Sequence, residues 1–355
     1  MNSVICAIIL CALPSLGQSL EVKKLSVPNT DTHYGHSVTS HINTAEVCIG
    51  TPPQCFIFLL DTGSADLWIS STRCEGDLCD KVENKYNHEE SSSFQDRTPE
   101  AVSKLHYGSG DVYLRYATET VKFANIEVNG QDFAEALQAN PVTTRAHIDG
   151  ILGLSFRAVA HQNSTPFLDK AFEQNLIKQN LFTMCTPRDG DKKGEILLGE
   201  TSSENYPNTD IVYTPLTKET HWDFKLSSIV VEGGSGNKHE VLCNDCDAIA
   251  DSGTSHITGP HDFIHSVNTA IGAEAFGDSH YKVKSCDDTD DLPNVQFNIE
   301  NHPFAKGNCL TVFTVSGTKV RAWILGGSFL DDMCTIYDKG NHRLGFSKMP
   351  STEEE

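Results

Sequence analysis

Phe56-Ile57-Phe58-Leu59-Leu60-Asp61-Thr62-Gly63-Ser64 and Ala248-Ile249-Ala250-Asp251-Ser252-Gly253-Thr254 are two versions of one phrase: an apolar run, an Asp, a hydroxyl residue, a Gly and a second hydroxyl residue. The two Asp stand 190 positions apart, and each phrase is echoed downstream by an apolar-apolar-Gly segment, Ile151-Leu152-Gly153 and Ile324-Leu325-Gly326. The same parts in the same order, twice, imply two related lobes. Their boundary is expected near Tyr206, in the polar stretch 201–210, giving lobes of 31–205 and 206–349. One such phrase alone reads as an Asx turn; the repetition is what raises it to a site.

An Asp at the end of an apolar strand, followed by a glycine turn, is held rigidly and only partly solvated. Two of them brought together at a lobe interface cannot both ionise cheaply, so they share one proton. The charged member then serves as general base toward a water between them, while the protonated member polarises a substrate carbonyl. Ser64 and Thr254 are placed to hydrogen-bond the carboxylates from outside, and Thr62 and Ser252 to tie the two loops together. Gly63 and Gly253 let backbone approach backbone without a Cβ.

Around these phrases the chain reads as β. Val121, Phe123, Ile126 and Val128, and again Val295, Phe297 and Ile299, alternate with polar residues at the period of a half-buried strand. Asn129-Gly130, Gly233-Gly234 and Gly236-Asn237 read as turns. Two helices are expected: 165–179, with Phe167, Leu168, Phe172 and Leu176 on one side, and 262–271. The expectation is an all-β protein of two domains with few short helices.

The 355 residues suit two domains. With 27 Lys+Arg against 48 Asp+Glu, the surface repels phosphate backbones and anionic lipid, which argues against nucleic-acid and membrane partners. Val4 to Leu13 form a short apolar run with no charge before Glu21, and Ser15-Leu16-Gly17 supplies small residues, so 1–17 reads as a secretory signal. No later stretch approaches the ~20 apolar residues of a membrane span. Export is therefore expected, and the acidic end 350–355 reads as a tail. Of 12 Cys, Cys6 and Cys11 leave with the signal, and an even number in an exported chain implies disulfides. Cys48 with Cys55, Cys74 with Cys79 and Cys243 with Cys246 are close pairs. A zinc reading of Cys243 and Cys246 would need two more ligands at matching spacing, and no second CxxC exists. His261 and His265 lie one helical turn apart but read as a solvated face, and Asn163-Ser164-Thr165 is a glycosylation sequon.

Asp61-Thr62-Gly63-Ser64-Ala65-Asp66-Leu67-Trp68 and Asp251-Ser252-Gly253-Thr254-Ser255 resemble the two active-site motifs of the pepsin and cathepsin D family of aspartic endopeptidases. The resemblance runs from Ile49 to Phe346. It implies a bilobal pepsin-like fold with a central cleft, one catalytic Asp from each lobe, polypeptide substrates, statine-type inhibitors, and neither metal nor organic cofactor. A monomer is expected, secreted or, as the alternative, lysosomal. The resemblance also implies a flap, here Leu105-His106-Tyr107-Gly108-Ser109-Gly110, with the Tyr107 hydroxyl near the Trp68 indole, and a structural role for Trp222. Leu59 and Ile151 are candidate walls of apolar substrate pockets. Cys74–Cys79, Cys243–Cys246 and Cys286–Cys309 resemble the family's bridges. Cys48 and Cys55 then face each other across a turn. Cys185 and Cys334 align to strands of the sheet joining the lobes and are expected to pair.

Several features depart from the family. Only 43 residues separate Gly17 from Asp61, so 18–30 reads as a residual propeptide too short to inhibit. Gly327 stands where an Asp is common, which should alter the acidity of the pair. Leu114 and Ala117 replace frequent flap glycines, which stiffens the hairpin. The main rival is a catalytically silent relative that binds peptides; loss of an Asp or of the flap Tyr is its usual cause, yet Asp61, Asp251 and Tyr107 are all present.

Overall fold

The structure, a computed structural model, describes residues 19–30, 37–76, 79–97, 102–108, 110–138, 148–187, 194–207, 210–233, 238–276, 280–282, 293–300, 302–306, 313–315 and 321–349. Strands dominate it, and the helices are short: Phe167–Glu173, His261–Ala270 and Gly327–Leu330, beside single turns of 3-10 helix. No helix among the described residues is long and apolar enough to cross a membrane.

The repeated phrases become one repeated substructure. In the first half, Gln54–Asp61 runs parallel to Gly150–Gly153, with Leu59 opposite Ile151 and Asp61 opposite Gly153. The strand after the Asp loop, Leu67–Ser70, pairs antiparallel on the other side of Gly150–Gly153. In the second half, Lys238–Ala250 runs parallel to Trp323–Leu325, and Ile257–Gly259 closes antiparallel against the same short strand. Each Asp loop therefore leaves and re-enters the sheet around a buried apolar-apolar-Gly strand, which fixes where the Asp points. The architecture is the bilobal pepsin-like fold.

A third, wholly antiparallel sheet joins the halves. Leu181–Cys185 pairs with Gly194–Leu198 on one side and with Met333–Asp338 on the other. Arg343–Lys348 and Val212–Glu219 extend it. The chain from Ser19 to Thr30 is shared between sheets: Ser19 to Val22 pair with Gly194–Leu198, and Lys23 to Thr30 pair with Ser37–Ile49. Cys185 lies opposite Cys334 in this register, and the two are bonded. Bonds also join Cys48 to Cys55, Cys74 to Cys79 and Cys243 to Cys246. Cys286 and Cys309 lie outside the described residues, as do 1–17 and the acidic tail.

The lobes meet over aromatic rings. Trp222, fully buried, packs 4.7 Å from Phe156 and 5.0 Å from Tyr337, and its Nε1 donates to the Leu154 carbonyl at 3.1 Å. Beside them Lys339, 4 % exposed, donates to both Asp169 carboxylate oxygens at 2.9 Å and to the Ser155 carbonyl at 2.8 Å, with its ammonium over the Phe156 ring. Burial holds the Lys339 amine below its ordinary range, and the Asp169 charge opposes that shift. An ammonium left in such a place without its partner is costly. Asp169→Ala is expected to lower stability by roughly 2–3 kcal/mol, whereas Lys339→Met, which removes the charge and keeps the volume, stays close to neutral. Urea titration of both variants checks this, and equal losses would show that the pair acts by packing alone.

Some local expectations are corrected. Val121, Phe123, Ile126 and Val128 are all buried, but they belong to two strands, Gly110–Phe123 and Ile126–Gln138, folded back with Phe123 opposite Ile126. The alternation survives because the turn between them, with Ala124 at φ 55°, spends two residues. Asn129-Gly130 is no hairpin turn; it lies inside Ile126–Gln138, where the register slips between Glu119 and Val121. Gly130 takes φ 62°, so the turn signal is used for a bulge. The helix expected over 165–179 spans only Phe167–Glu173, and Phe172 is 41 % exposed. Asn175, at φ 57°, turns the chain away and takes Leu176 off the helix. Leu114 pairs with Ser103 at the base of the flap hairpin, while Ala117 lies beyond it opposite Asp96 and Phe133.

Candidate active site

Asp61 and Asp251 meet at the lobe junction. The loops are cross-tied by their hydroxyl residues: the Thr62 N–H donates to Ser252 Oγ at 3.1 Å, and the Ser252 N–H to Thr62 Oγ1 at 2.9 Å. Each hydroxyl then donates across to the opposite strand, Thr62 to the Ala250 carbonyl at 2.9 Å and Ser252 to the Leu60 carbonyl at 2.6 Å. Both residues are buried, so these four bonds form away from water and fix one loop against the other.

Each carboxylate is held by the same two donors from its own loop. Asp61 accepts the Gly63 N–H at 2.9 Å and the Ser64 hydroxyl at 2.5 Å. Asp251 accepts the Gly253 N–H at 2.9 Å and the Thr254 hydroxyl at 2.7 Å. The glycines are required by the opposite carboxylate: a Cβ on Gly63 would lie 2.5 Å from Asp251 Oδ1, and one on Gly253 would lie 2.6 Å from Asp61 Cγ. Gly253→Ala is therefore expected to force the carboxylates apart and to slow any reaction that needs the two together on the order of 10²-fold or more. Steady-state kinetics of the folded variant reads this, and near-normal turnover would mean that the loops yield without disturbing the pair.

Burial, the Asp251 charge and a hydrogen bond between the two carboxyl groups raise Asp61 to about 7, while Ser64 and Gly63 oppose the shift. The pair thus keeps a proton well above the usual carboxylate range, because two charges at this separation in a shielded site repel. Gly327 opens the short helix after Ile324-Leu325-Gly326; its N–H donates to the Thr254 carbonyl at 2.7 Å, and Ser328 Oγ donates to the Ser255 carbonyl at 2.8 Å. No side-chain charge is contributed at that position.

A cavity of about 480 Å³ lies over the pair, lined among others by Leu59, Gly63, Ser64, Tyr107, Gly108, Ile151, Gly253 and Thr254. Its roof is the hairpin of Ser103–Tyr107 and Gly110–Phe123, with Tyr107 opposite Gly110. The Trp68 indole N–H donates to Tyr107 Oη at 2.8 Å. Burial and the Asp61 charge push the Tyr107 phenol upward, so it stays a neutral hydroxyl over the dyad. Ser109 lies outside the described residues. Leu59 and Ile151 line the cavity and are also nearly fully buried in an apolar cluster with Leu105 and Tyr107, so they are wall and core at once.

The chain matches the eukaryotic aspartyl protease family over residues 43–349. The chain belongs to that family. It is 33% identical over 325 residues to cathepsin D of Gallus gallus, covering 85% of this chain and 79% of the relative. To cathepsin D of Homo sapiens it is 31% identical over 336 residues, with the same shares covered. To pepsin A of Gallus gallus it is 30% identical over 317 residues, covering 85% of this chain and 83% of the relative.

In this aspartyl protease the cavity has further lining to which the sequence reading gave no individual role: Asp66, His106, Val159, His161 and His221. Asp66 is 2% exposed and takes three donors: the Tyr116 hydroxyl at 2.9 Å, the His161 backbone N–H at 3.1 Å and His161 Nδ1 at 2.9 Å. Burial raises the Asp66 carboxyl, and these donors work against the rise. The position of Asp66 inside the quoted motif was visible, but its partner lies 95 residues away and no local pattern announces it.

Proposed function

We propose that this aspartyl protease is an active endopeptidase that hydrolyses peptide bonds in unfolded or denatured protein in the acid range. The observation that supports it most is the cross-tied loop pair that seats Asp61 and Asp251 against one another with matched donors on each. In this reading an extended substrate lies beneath Tyr107, its backbone pairing with the flap and with the loop at Gly253 and Thr254. A water between the carboxyl groups is activated by the ionised member, which takes its proton. The oxygen attacks the scissile carbonyl carbon while the protonated member gives its proton to the carbonyl oxygen. Collapse of the tetrahedral intermediate breaks the C–N bond; the amine leaves with a proton from the carboxyl that gained one from water, and a hydroxyl of the intermediate returns its proton to the other carboxylate. Ser64 and Thr254 orient the carboxyls, Thr62 and Ser252 hold the loops, and Tyr107 with Trp68 positions the flap.

The same reading makes the protein a monomer exported through the signal at 1–17. The cystine bonds, including Cys185–Cys334 across the joining sheet, favour an oxidising compartment, and Asn163 of the sequon is exposed. Incubation with denatured protein between pH 3 and 7, with and without a pepstatin-type statine inhibitor, tests the proposal. Inhibitor-sensitive cleavage is expected below about pH 7. Absence of such cleavage at every pH, with Asp251→Asn protein indistinguishable from the parent, would leave a peptide-binding relative instead.

A further inference from the structure

The lining of the cleft combines two chemistries. Leu59 and Ile151 are buried aliphatics packed in one cluster with Leu105 of the flap. His106, Val159, His161 and His221 line the same cavity. In a chain whose net charge is −21, three imidazoles on one cavity are the feature that peptide hydrolysis alone leaves unused.

Their placement is tied to the dyad. His161 rests on Asp66, two positions beyond the Ser64 that bonds Asp61. His221 stands between Thr220, whose carbonyl accepts from Ser155 Oγ at 3.1 Å, and the buried Trp222. Ser155 and Leu154 directly follow Gly153, and the Leu154 N–H donates to the Asp61 carbonyl at 2.8 Å. His106 adjoins Tyr107 on the flap and pairs with Asp111.

The hydrogen bonds at Asp66 settle the orientation of His161. Ionised Asp66 can only accept, and a tyrosine hydroxyl and a backbone N–H already donate to it, so beside the carboxylate His161 Nδ1 carries a hydrogen. The other nitrogen, Nε2, belongs to a ring half exposed on the cavity. When the ring is protonated Nε2 is a donor; when it is neutral Nε2 is an acceptor. The charged groups near these imidazoles are Asp66, which bonds His161, and Arg97, which bonds the carbonyl of the neighbouring Gln162 and Asp132. On the flap they are Lys104 and Asp111 beside His106, and behind His221 there is Asp223, which accepts the His221 N–H. Asp61 and Asp251 line the same cavity.

We propose that His161, seated on Asp66 and joined by His221 and His106, forms a subsite that takes an acidic side chain, Asp or Glu, of the substrate next to the scissile bond. This rests on the endopeptidase reading above and gives it a substrate class. Asp66 is a positioning residue, and His161 and His221 are the contacts. The carboxylate accepts charge-assisted hydrogen bonds from the imidazoles, which an amide twin of the same shape replaces only weakly.

The test uses paired peptides carrying Glu or Gln at each position from four before to four after one bond, assayed with the full chain between pH 3 and 8. At one position the Glu peptide is expected to exceed its Gln twin in kcat/KM by about 10-fold near pH 5. The Glu/Gln ratio depends on pH, falling toward 1 below about 4 as the substrate carboxyl takes a proton. His161→Gln and His221→Gln each bring the ratio toward 1, and since the ratio is taken within one variant, a general loss of activity cancels. A ratio near 1 at every position, a ratio flat in pH, or one that both variants retain, overturns the subsite. Calorimetric binding of the same pair to Asp251→Asn protein separates the two proposals. Tighter binding of the Glu peptide with no cleavage of either by the parent sinks the peptidase reading and keeps the subsite. Equal cleavage and equal binding of both does the reverse.

Discussion

Asp251→Asn is expected to lower kcat by a factor on the order of 10⁴ while the protein stays folded. The size follows from what the substitution removes. An amide can neither take the proton of the attacking water nor share one with Asp61, so general acid and general base catalysis fail together. The surroundings survive: the Thr62 and Ser252 cross-ties do not involve the Asp251 side chain, and an amide oxygen can still accept the Gly253 N–H. Ser64→Ala gives the contrast. It takes away one donor to Asp61 and leaves the proton-sharing pair, so its expected cost is the worth of one charged hydrogen bond, about 10-fold. A quenched fluorescent peptide assayed at pH 3.5 to 6 compares the three proteins. If Asp251→Asn kept more than a few per cent of parental turnover, water would be activated elsewhere than between these carboxyls.

Much of this site was legible because its chemistry repeats. Asp, hydroxyl and Gly recur in each half since each loop must present a carboxylate, reach across with a hydroxyl and yield space to the opposite carboxylate. Those demands fall within four consecutive residues and so leave a readable phrase. The opposition of Cys185 and Cys334, and of Trp68 and Tyr107, followed only from likeness to a family, because their partners are set by sheet topology. Where partners are distant and the residue types common, the sequence was silent. His161 finds Asp66 across 95 positions, and Lys339 finds Asp169 across 170. Local signals also misled where tertiary packing reused them. Asn129-Gly130 supplies the positive φ of a bulge inside a strand, and Asn175 cuts short a helix whose apolar spacing promised twice its length.

Raising the pH from 4 to 7 is expected to weaken the parent protein and to affect Asp61→Asn protein less. The folded Asp61 carboxyl titrates at about 7 and its ordinary value is 3.8, so between these values the folded state holds the proton more firmly than the unfolded chain. Stability from this group is then complete below about 3.8 and is lost progressively as the pH rises to about 7. Three units at 1.36 kcal/mol each set the loss at as much as about 4 kcal/mol, a sizeable part of an ordinary folding free energy. Asp66, Glu135 and Asp149, all raised mainly by burial, add in the same direction and remain in the variant. Asp61→Asn removes only the Asp61 contribution, so its midpoint in urea should fall less steeply with pH and should exceed the parent's at pH 7. Parallel curves for the two proteins would place the pH dependence outside the dyad. In the proposed mechanism the same proton governs catalysis, since a pair with both members ionised has none to give the carbonyl oxygen. Thr62, the neighbour of Asp61, is cross-tied to Ser252, so repulsion between two ionised carboxylates acts directly on the junction of the lobes. Loss of activity and loosening of the lobes with rising pH should therefore share one midpoint, near the Asp61 value rather than near that of an ordinary carboxylate.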